Sequence, residues 1–135
     1  MKYKTGYAYV VADIFHIGHL KHLQRCKKYC DKLIVGVLTD KSTMEKKQKP
    51  IIGYKERLEI IRNIKCVDEV VEQKTYSPIT NAIEYDADVL FESTSHTKEA
   101  IKEARKIMNI KVMPYYSKQS STKIKLKIIN EYKRT

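Results

Sequence analysis

The alternation of strand-like and helix-like apolar patterns is the sequence feature that most limits how this chain can fold. Residues 33–38 (L-I-V-G-V-L) form an apolar run typical of a buried strand, and residues 7–12 form a shorter run rich in aromatic and β-branched side chains. From residue 17 to 29 the apolar period is that of a helix, with one face carrying His19, Leu23, Cys26 and Cys30. A strand, a helix and a second buried strand in succession are typical of a parallel sheet covered by helices.

The same alternation continues to the end of the chain. Strands are predicted over residues 67–71, 89–91 and 110–113, and helices over residues 54–64, 78–85 and 98–108 and from Ser120 onward. The second helix is predicted to carry Leu58, Ile61 and Ile64 as its inner stripe. The last helix carries Ile124, Ile128 and Ile129 on one side. No repeat or linker interrupts this pattern. We therefore predict one Rossmann-like α/β domain over residues 1–135, with a five-stranded, mostly parallel sheet and helices on both faces.

The composition limits the class of protein and the kind of partner. Hydrophobic residues make up 42% of the chain, as in an ordinary globular domain. No apolar run approaches the ~20 residues of a membrane span, and the first residues show no signal-peptide pattern, so we expect a cytoplasmic protein. Cys26, Cys30 and Cys66 are expected to be reduced thiols. A net charge of +11 favours an anionic partner, and nucleic acid, a membrane surface and a phosphorylated small molecule all meet that requirement.

Residues 13–19 (D-I-F-H-I-G-H) join the first predicted strand to the first predicted helix. Ligands of parallel α/β sheets bind beyond the carboxyl ends of the strands, and helix N-termini there bind phosphates. Gly18 has no side chain where a phosphate would approach closely. His16 and His19 lie three residues apart across the first helical turn, so both imidazoles can donate to one phosphoryl group. This pattern predicts stabilisation of the charge that develops during in-line displacement at phosphorus.

Two further segments fit phosphate binding, and each has a simpler interpretation. Ser120, Ser121, Thr122 and Lys123 open the last helix, where hydroxyl residues are either plain N-caps or ligands of the β- and γ-phosphates. The loop over residues 41–49 carries Lys46, Lys47 and Lys49, which are either solvated charges or a basic flap over a triphosphate. The even spacing of His16, His19 and His22 also permits a zinc site, although no cysteine or carboxylate completes a tetrahedral set.

Together these motifs resemble the cytidylyltransferase-like nucleotidyltransferases. The motifs are H-x-G-H after the first strand, the basic loop, and S-S-T-K-I at the start of the last helix. Supporting stretches are L-I-V-G-V-L-T-D at residues 33–40, Y-K-E-R at 54–57 and V-D-E-V-V at 67–71. The likeness is greatest to the short glycerol-3-phosphate and phosphocholine cytidylyltransferase type, and it extends roughly over residues 6–128.

The resemblance implies an enzyme that transfers CMP from CTP to a small phosphorylated alcohol or phosphonate and releases pyrophosphate. It implies that His16 and His19 hold the α-phosphate and that Lys46 contacts the phosphates of both substrates. The nucleotide-binding positions that it implies are Val11, Ala12, Asp13, Phe15, Gly18, Asp40, Arg57, Ser120, Ser121 and Thr122. It further implies Mg²⁺ bound with the triphosphate and not by protein ligands alone, a homodimer paired around the H-x-G-H helix, and no nucleic-acid or membrane partner.

Three segments depart from the family's pattern. The first strand ends in V-V-A-D where the family has G-T-F-D, and Y-Y-S-K at residues 115–118 replaces R-T-E-G. E-S-T-S-H at residues 92–96 replaces G-D-D-W, and is either a plain polar loop or an acceptor-binding segment that uses Glu92, Ser93, Thr94 and His96. Two alternatives therefore stay open: an adenylyltransferase that uses ATP, and a non-catalytic module that binds a nucleotide or nucleic acid.

Overall fold

Five parallel strands form the centre of the molecule, which a computed structural model describes over residues 2–93 and 98–133. The strands are β1 (Tyr3–Val10), β2 (Cys30–Leu38), β3 (Glu69–Gln73), β4 (Val89–Ser93) and β5 (Ile110–Met113). Their order in the sheet is β3-β2-β1-β4-β5, and every neighbouring pair is parallel. The predicted five-stranded sheet is confirmed, and it is parallel throughout.

Within the described residues, six helices connect or follow the strands. They are α1 (Ile17–Lys27), α2 (Asp40–Thr43), α3 (Tyr54–Arg62), α4 (Ile79–Glu84), α5 (Lys98–Arg105) and α6 (Ser121–Tyr132). One apolar cluster joins Ala8 of β1 to Leu23 of α1 and Ile61 of α3, and a second joins Tyr7 of β1 to Ala82 of α4. Because consecutive strand residues point to opposite faces, the two clusters lie on opposite sides of the sheet. The prediction of helices on both faces is confirmed.

The strand order places a ligand cleft between β1 and β4. The chain passes outward from β1 to β2 and β3, and then returns to place β4 on the other side of β1. This reversal is the topological switch point, where the loops beyond the strand ends separate and leave a crevice. The ends of β1 and β4 and the N-terminus of α1 therefore meet at one edge of the sheet.

Several predicted boundaries were wrong by a few residues. The first strand ends at Val10 and not at residue 12, because Ala12 and Ile14 adopt left-handed backbone conformations with φ of 58° and 53°. The first helix ends at Lys27, so Cys30 begins β2 and does not belong to the helical face on which it was predicted. The third strand lies two residues later than predicted, at Glu69–Gln73.

The last helix contributes little to the core. Ile124, Ile128 and Ile129 were predicted to lie on one side of this helix, and α6 contains no buried residue. The side chains of Ile128 and Ile129 are 49% and 51% exposed. By contrast, the predicted stripe of the 54–64 helix is confirmed, since Ile61 is buried and Leu58 and Ile64 pack against the same cluster.

The cysteines and the helix lengths agree with the composition. Cys26 and Cys30 are buried, Cys66 is half-buried, and all three are free thiols. No helix within residues 2–93 and 98–133 has the length and apolar character needed to cross a bilayer.

Candidate active site

A cleft of about 1000 Å³ opens at the switch point, beyond the ends of β1, β4 and β5. Most of the predicted site residues line it: Val11, Ala12, Asp13, His16, Gly18, His19, Ser93, Ser120, Ser121 and Thr122. Five predicted residues do not line it: Phe15, Asp40, Lys46, Arg57 and Glu92. The predicted acceptor residues Thr94 and His96 lie outside the described residues.

The two predicted catalytic histidines contact each other at the start of α1. His16 is the N-cap residue, and its Nδ1 accepts the Gly18 N–H at 2.9 Å. The His16 N–H donates in turn to Nδ1 of His19 at 3.1 Å, and the two ring centroids are 4.0 Å apart. Since each Nδ1 accepts a backbone hydrogen bond, each neutral ring carries its proton on Nε2. The pair therefore offers two neighbouring Nε2–H donors.

The surroundings of the pair keep both rings neutral near pH 7. Burial lowers the pKa of His16. Burial, followed by repulsion from the charges that His16 and His22 would carry, lowers the pKa of His19 to about 3. Phe15 stacks on His19, with ring centroids 5.4 Å apart and planes inclined at 19°. Phe15, predicted as a nucleotide contact, therefore packs against His19 and does not line the cleft.

The ring of His16 leaves no room for a side chain at residue 18. A Cβ atom at residue 18 would lie 2.7 Å from Cε1 and 3.0 Å from Nδ1 of His16, and 3.3 Å from a ring carbon of Tyr116. Contacts under 3 Å force a neighbour to move, so a larger residue would displace the imidazole. The glycine thus permits the histidine to cap its own helix, in addition to the close phosphate approach that the sequence suggested.

Asp13 joins three segments at the floor of the cleft. Its Oδ2 and Oδ1 accept the N–H groups of Ile51 at 3.0 Å and Ile52 at 2.9 Å, and Lys125 Nζ lies 2.6 Å from Oδ2. Burial acts to raise the pKa of Asp13, but the hydrogen bonds from Lys125 and the two amides outweigh it and leave the pKa below its ordinary value. The carboxylate is ionised and bonded to the protein.

Arg57 does not reach the cleft. Its side chain is fully buried and donates to the carbonyl oxygens of Val11 at 2.7 Å, Leu38 at 2.8 Å and Ile52 at 2.9 Å. Its Nη2 pairs with Oδ1 of Asp40 at 2.7 Å. Arg57 and Asp40, predicted at nucleotide-binding positions, therefore do not line the cleft, because the guanidinium joins the ends of β1 and β2 to the segment before α3. The organising role implied for Arg57 fits this geometry.

The basic loop brings a different lysine to the cleft from the one predicted. Lys47 lines the cleft, whereas Lys46 does not. Their Nζ atoms lie 6.0 Å and 5.9 Å from the ring centroid of Tyr76, which also lines the cleft. Glu45 Oε2 accepts the Tyr76 N–H at 3.1 Å and so connects this loop to the exit of β3. The charge of Lys47 contributes to the low pKa of His19, which is consistent with its place near the pair.

The start of α6 combines capping with exposure to the cleft. Ser120 Oγ accepts the Lys123 N–H at 3.0 Å, so the simpler N-cap interpretation of this serine is confirmed. Ser121 Oγ donates to the carbonyl oxygen of Asp13, and Thr122 lines the cleft beside it. The first turn of α6 therefore faces the same space as the first turn of α1.

At the exit of β4, Glu92 is bonded to Tyr9, and it is Tyr9 that lines the cleft. Glu92 is 6% exposed, and its Oε1 accepts the Tyr9 hydroxyl at 2.5 Å. Burial, followed by the charge of Glu92, raises the pKa of Tyr9. Tyr9 and Ser93 line the cleft at this point, whereas Glu92, predicted as an acceptor residue, does not.

Among the polar residues that line the cleft, sequence reasoning missed Tyr9, Tyr76 and Lys125, and it named Lys47 in the basic loop without choosing it over Lys46. Helical spacing was a usable signal for Lys125, which lies four residues after Ser121 and therefore on the same face of α6. Tyr9 was masked by its place in an apolar strand run. For Tyr76, and for Lys47 over Lys46, no pattern in the sequence was available.

The zinc alternative finds no ligand set in the described part of the chain, where no group of three or more His, Cys, Asp or Glu could hold a metal ion. His22 also lines the cleft, and its Nε2 lies 3.8 Å from Sγ of Cys26. Burial, followed by the charge of Arg25, lowers its pKa to about 4.

Imidazole donors at one helix N-terminus, facing a second helix N-terminus across a switch-point cleft, are typical of α/β domains that bind nucleotide phosphates. That is the class of protein that the fold and the cleft define. Residues 9–127 match the family described as cytidylyltransferase-like, and the chain belongs to this family. It is accordingly a nucleotidyltransferase.

Individual relatives agree with this assignment. Glycerol-3-phosphate cytidylyltransferase of Bacillus spizizenii is 36% identical over 86 residues, which cover 63% of this chain and 67% of that protein. The bifunctional protein HldE of Geobacter sulfurreducens is 27% identical over 127 residues, 89% of this chain but only 26% of that protein. The solved structure of a lipopolysaccharide core biosynthesis protein from Thermoplasma volcanium has a TM-score of 0.73 and 25% identity, covering 87% of this chain and 99% of that one.

Proposed function

We propose that this enzyme transfers CMP from CTP to a small phosphorylated alcohol or phosphonate and releases pyrophosphate. The observation that carries the proposal is the His16–His19 pair, whose Nδ1 atoms are occupied by backbone N–H groups and whose Nε2–H groups are left for a ligand. The similarity to a glycerol-3-phosphate cytidylyltransferase supports CTP as donor and a phosphorylated alcohol as acceptor.

In the proposed reaction an oxygen of the acceptor's phosphate or phosphonate attacks the α-phosphorus of CTP. The new P–O bond forms as the bond from the α-phosphorus to the bridging oxygen breaks, and pyrophosphate leaves with that electron pair. The acceptor oxygen is already anionic, so no general base is required. His16 and His19 donate Nε2–H hydrogen bonds to the α-phosphate oxygens, where negative charge increases in the transition state. Their lowered pKa values keep them neutral donors over the working pH range.

The triphosphate tail is proposed to lie against the first turn of α6, where Ser121 and Thr122 lie at a helix N-terminus that faces the cleft. Lys47 supplies positive charge from the opposite wall. Mg²⁺ bound with the triphosphate would offset part of the phosphate charge. The carboxylate that lines the cleft, Asp13, is bonded to Lys125 and two amides, so the donor set suits an ion held mainly by the nucleotide.

Pyrophosphate release tests the proposal directly. The purified protein is assayed with each of the four common nucleoside triphosphates and a panel of phospho-alcohols and phosphonates. We expect CTP to be the preferred donor. A preference for ATP would instead identify an adenylyltransferase with the same chemistry. Absence of release with every pair would refute the proposed reaction.

The histidine pair is tested with a matched pair of variants in α1. His19→Ala is expected to lower kcat by about 100-fold or more, since it removes a donor to the transition state. Its melting temperature should fall only slightly, because His19 is half-buried and the contacts that it loses are those with the His16 N–H and Phe15. Gln24→Ala, an exposed change in the same helix, should alter neither quantity. A large loss of stability in His19→Ala would instead identify His19 as a residue of the core.

The remaining expectations concern the assembly and the location of the enzyme. We propose a homodimer, as the family resemblance suggests, and light scattering that gives a monomer mass would exclude it. Three free cysteines, two of them buried, are in keeping with the reducing cytoplasm that we propose as its location.

A further inference from the structure

The last helix depends unusually little on the apolar core. No residue of α6 is buried, and Leu126, Ile128 and Ile129 are 54%, 49% and 51% exposed. A helix normally owes its stability in a protein to the packing of an apolar face. Polar contacts must therefore contribute more than usual to the position of this helix.

Two polar contacts join the first two turns of α6 to one residue. Lys125 Nζ lies 2.6 Å from Oδ2 of Asp13, and Ser121 Oγ donates to the carbonyl oxygen of Asp13. Asp13 is itself 5% exposed and fixed by the amides of Ile51 and Ile52, so it is a rigid point of attachment. The ion pair is partly shielded from solvent, since the Lys125 side chain is 33% exposed and that of Asp13 is 7% exposed. Such a pair is worth more than a fully exposed one.

Asp13 also belongs to the segment that carries the histidine pair. It lies three positions before His16, which caps α1, and both residues line the cleft. A contact from Asp13 to α6 therefore sets the distance between the two helix N-termini. In the proposed reaction, one N-terminus binds the α-phosphate and the other binds the tail of the same nucleotide.

We propose that Lys125 is a positioning residue, which through its ion pair with Asp13 holds the N-terminus of α6 at the distance from the His16–His19 pair that a triphosphate requires. The functional part of this inference rests on the proposed function. The structural part, that Lys125 fixes the position of α6, does not.

The test compares three variants with the wild type: Lys125→Met, Lys125→Arg and the control Lys127→Met. Lys127 is exposed on the same helix, so its substitution removes the same charge without touching Asp13. Hydrogen exchange of the α6 amides reports the position of the helix, and calorimetric titration with inorganic tripolyphosphate reports the tail site. Circular dichroism and thermal melting confirm that each variant is folded.

We expect α6 amides to exchange at least about tenfold faster in Lys125→Met, while those of α3 are unchanged. Tripolyphosphate should bind about tenfold more weakly to this variant, and Lys125→Arg should recover both quantities to within about threefold. Lys127→Met should stay near wild type in both. Should Lys125→Met not fold, Ser121→Ala removes the second contact to Asp13 and is expected to speed α6 exchange in the same direction.

Two outcomes would overturn the inference. Unchanged α6 exchange in Lys125→Met would show that Lys125 does not position the helix, and weaker tripolyphosphate binding in that case would make it a direct phosphate ligand. Faster exchange of the α6 amides with unchanged affinity for tripolyphosphate would show that the position of the helix does not affect phosphate binding. Neither measurement requires turnover, so a failure of the proposed reaction is recognised separately by the absence of pyrophosphate release from the wild type.

Discussion

Arg57 provides the most direct test of how this domain is held together. Its guanidinium is fully buried in α3 and donates to three backbone carbonyls and to Asp40. Replacement by methionine keeps much of the side-chain length and removes all four hydrogen bonds. The carbonyl oxygens of Val11, Leu38 and Ile52 then lose a donor in a region with little access to water.

The magnitude follows from these contacts. Removal of one partner from a buried ion pair costs about 3–5 kcal/mol, because the remaining partner is left uncompensated. Asp40 is 33% exposed and regains hydration, which reduces its share to about 1 kcal/mol, and the three orphaned carbonyls add about 1 kcal/mol each. We therefore expect Arg57→Met to lower the free energy of unfolding by about 4 kcal/mol, a large fraction of the stability of a typical domain.

Urea titration monitored by circular dichroism measures this loss. With a slope of about 2 kcal/mol per molar urea, the transition midpoint should fall by about 2 M. The control is Arg62→Met in the same helix, where the side chain is 54% exposed and pairs with Glu59 at 2.7 Å. This pair should contribute less than about 1 kcal/mol. Equal effects of the two substitutions, or a loss below about 1 kcal/mol for Arg57→Met, would refute this account of the strand ends.

Two further predictions concern the α1 segment. Gly18→Ala should lower kcat by about tenfold or more, because its Cβ would lie 2.7 Å from Cε1 of His16. The control is Gly53→Ala, whose Cβ meets nothing within 4 Å and which should leave pyrophosphate release unchanged. Equal activity of the two variants would contradict the steric argument. The free energy of unfolding should fall as the pH drops below about 6.5, because His19 and His22, with pKa values lowered to about 3 and about 4, stay neutral in the folded protein while the unfolded chain takes up protons. Each histidine contributes up to about 1.4 kcal/mol per pH unit in that window. His22→Gln should therefore flatten the decline in the free energy of unfolding, measured by urea titration between about pH 6.5 and pH 5. An unchanged dependence of the free energy of unfolding on pH would show that His22 is protonated in the folded state.

The elements that could be predicted from the sequence are those that depend on local pattern. The apolar run at residues 33–38 lies within β2, because a strand buried on both faces has consecutive apolar residues. The helical period after Ile17 corresponds to α1, because a helix buried on one face has apolar residues every three or four positions. The ends of the elements were less accurate. The end of β1 depends on the left-handed conformation of Ala12, a residue type that does not by itself indicate positive φ.

The site divides in the same way. His16 and His19 were predicted together because three residues on a helix fix their proximity. The contacts of Asp13 with Ile51 and Lys125 join residues 38 and 112 positions apart in the chain, and no local pattern contains them. The choice of Lys47 over Lys46 likewise depends on the direction in which one loop turns toward Tyr76.

The altered first-strand exit, V-V-A-D in place of the family's G-T-F-D, is compatible with the geometry of the site for a specific reason. Val11 takes part through its carbonyl oxygen, which any residue can supply to Arg57. Ala12 takes part through its backbone, where a φ of 58° is less strained for a small unbranched side chain than for a β-branched one. Asp13 is the position at which a particular side chain is needed, and it is retained. The exit of β4 is different, because Tyr9 and Glu92 interact there through their side chains, and Ser93 lines the cleft beside them. Changes at that exit should therefore alter acceptor choice, while the phosphate chemistry at the two helix N-termini is kept.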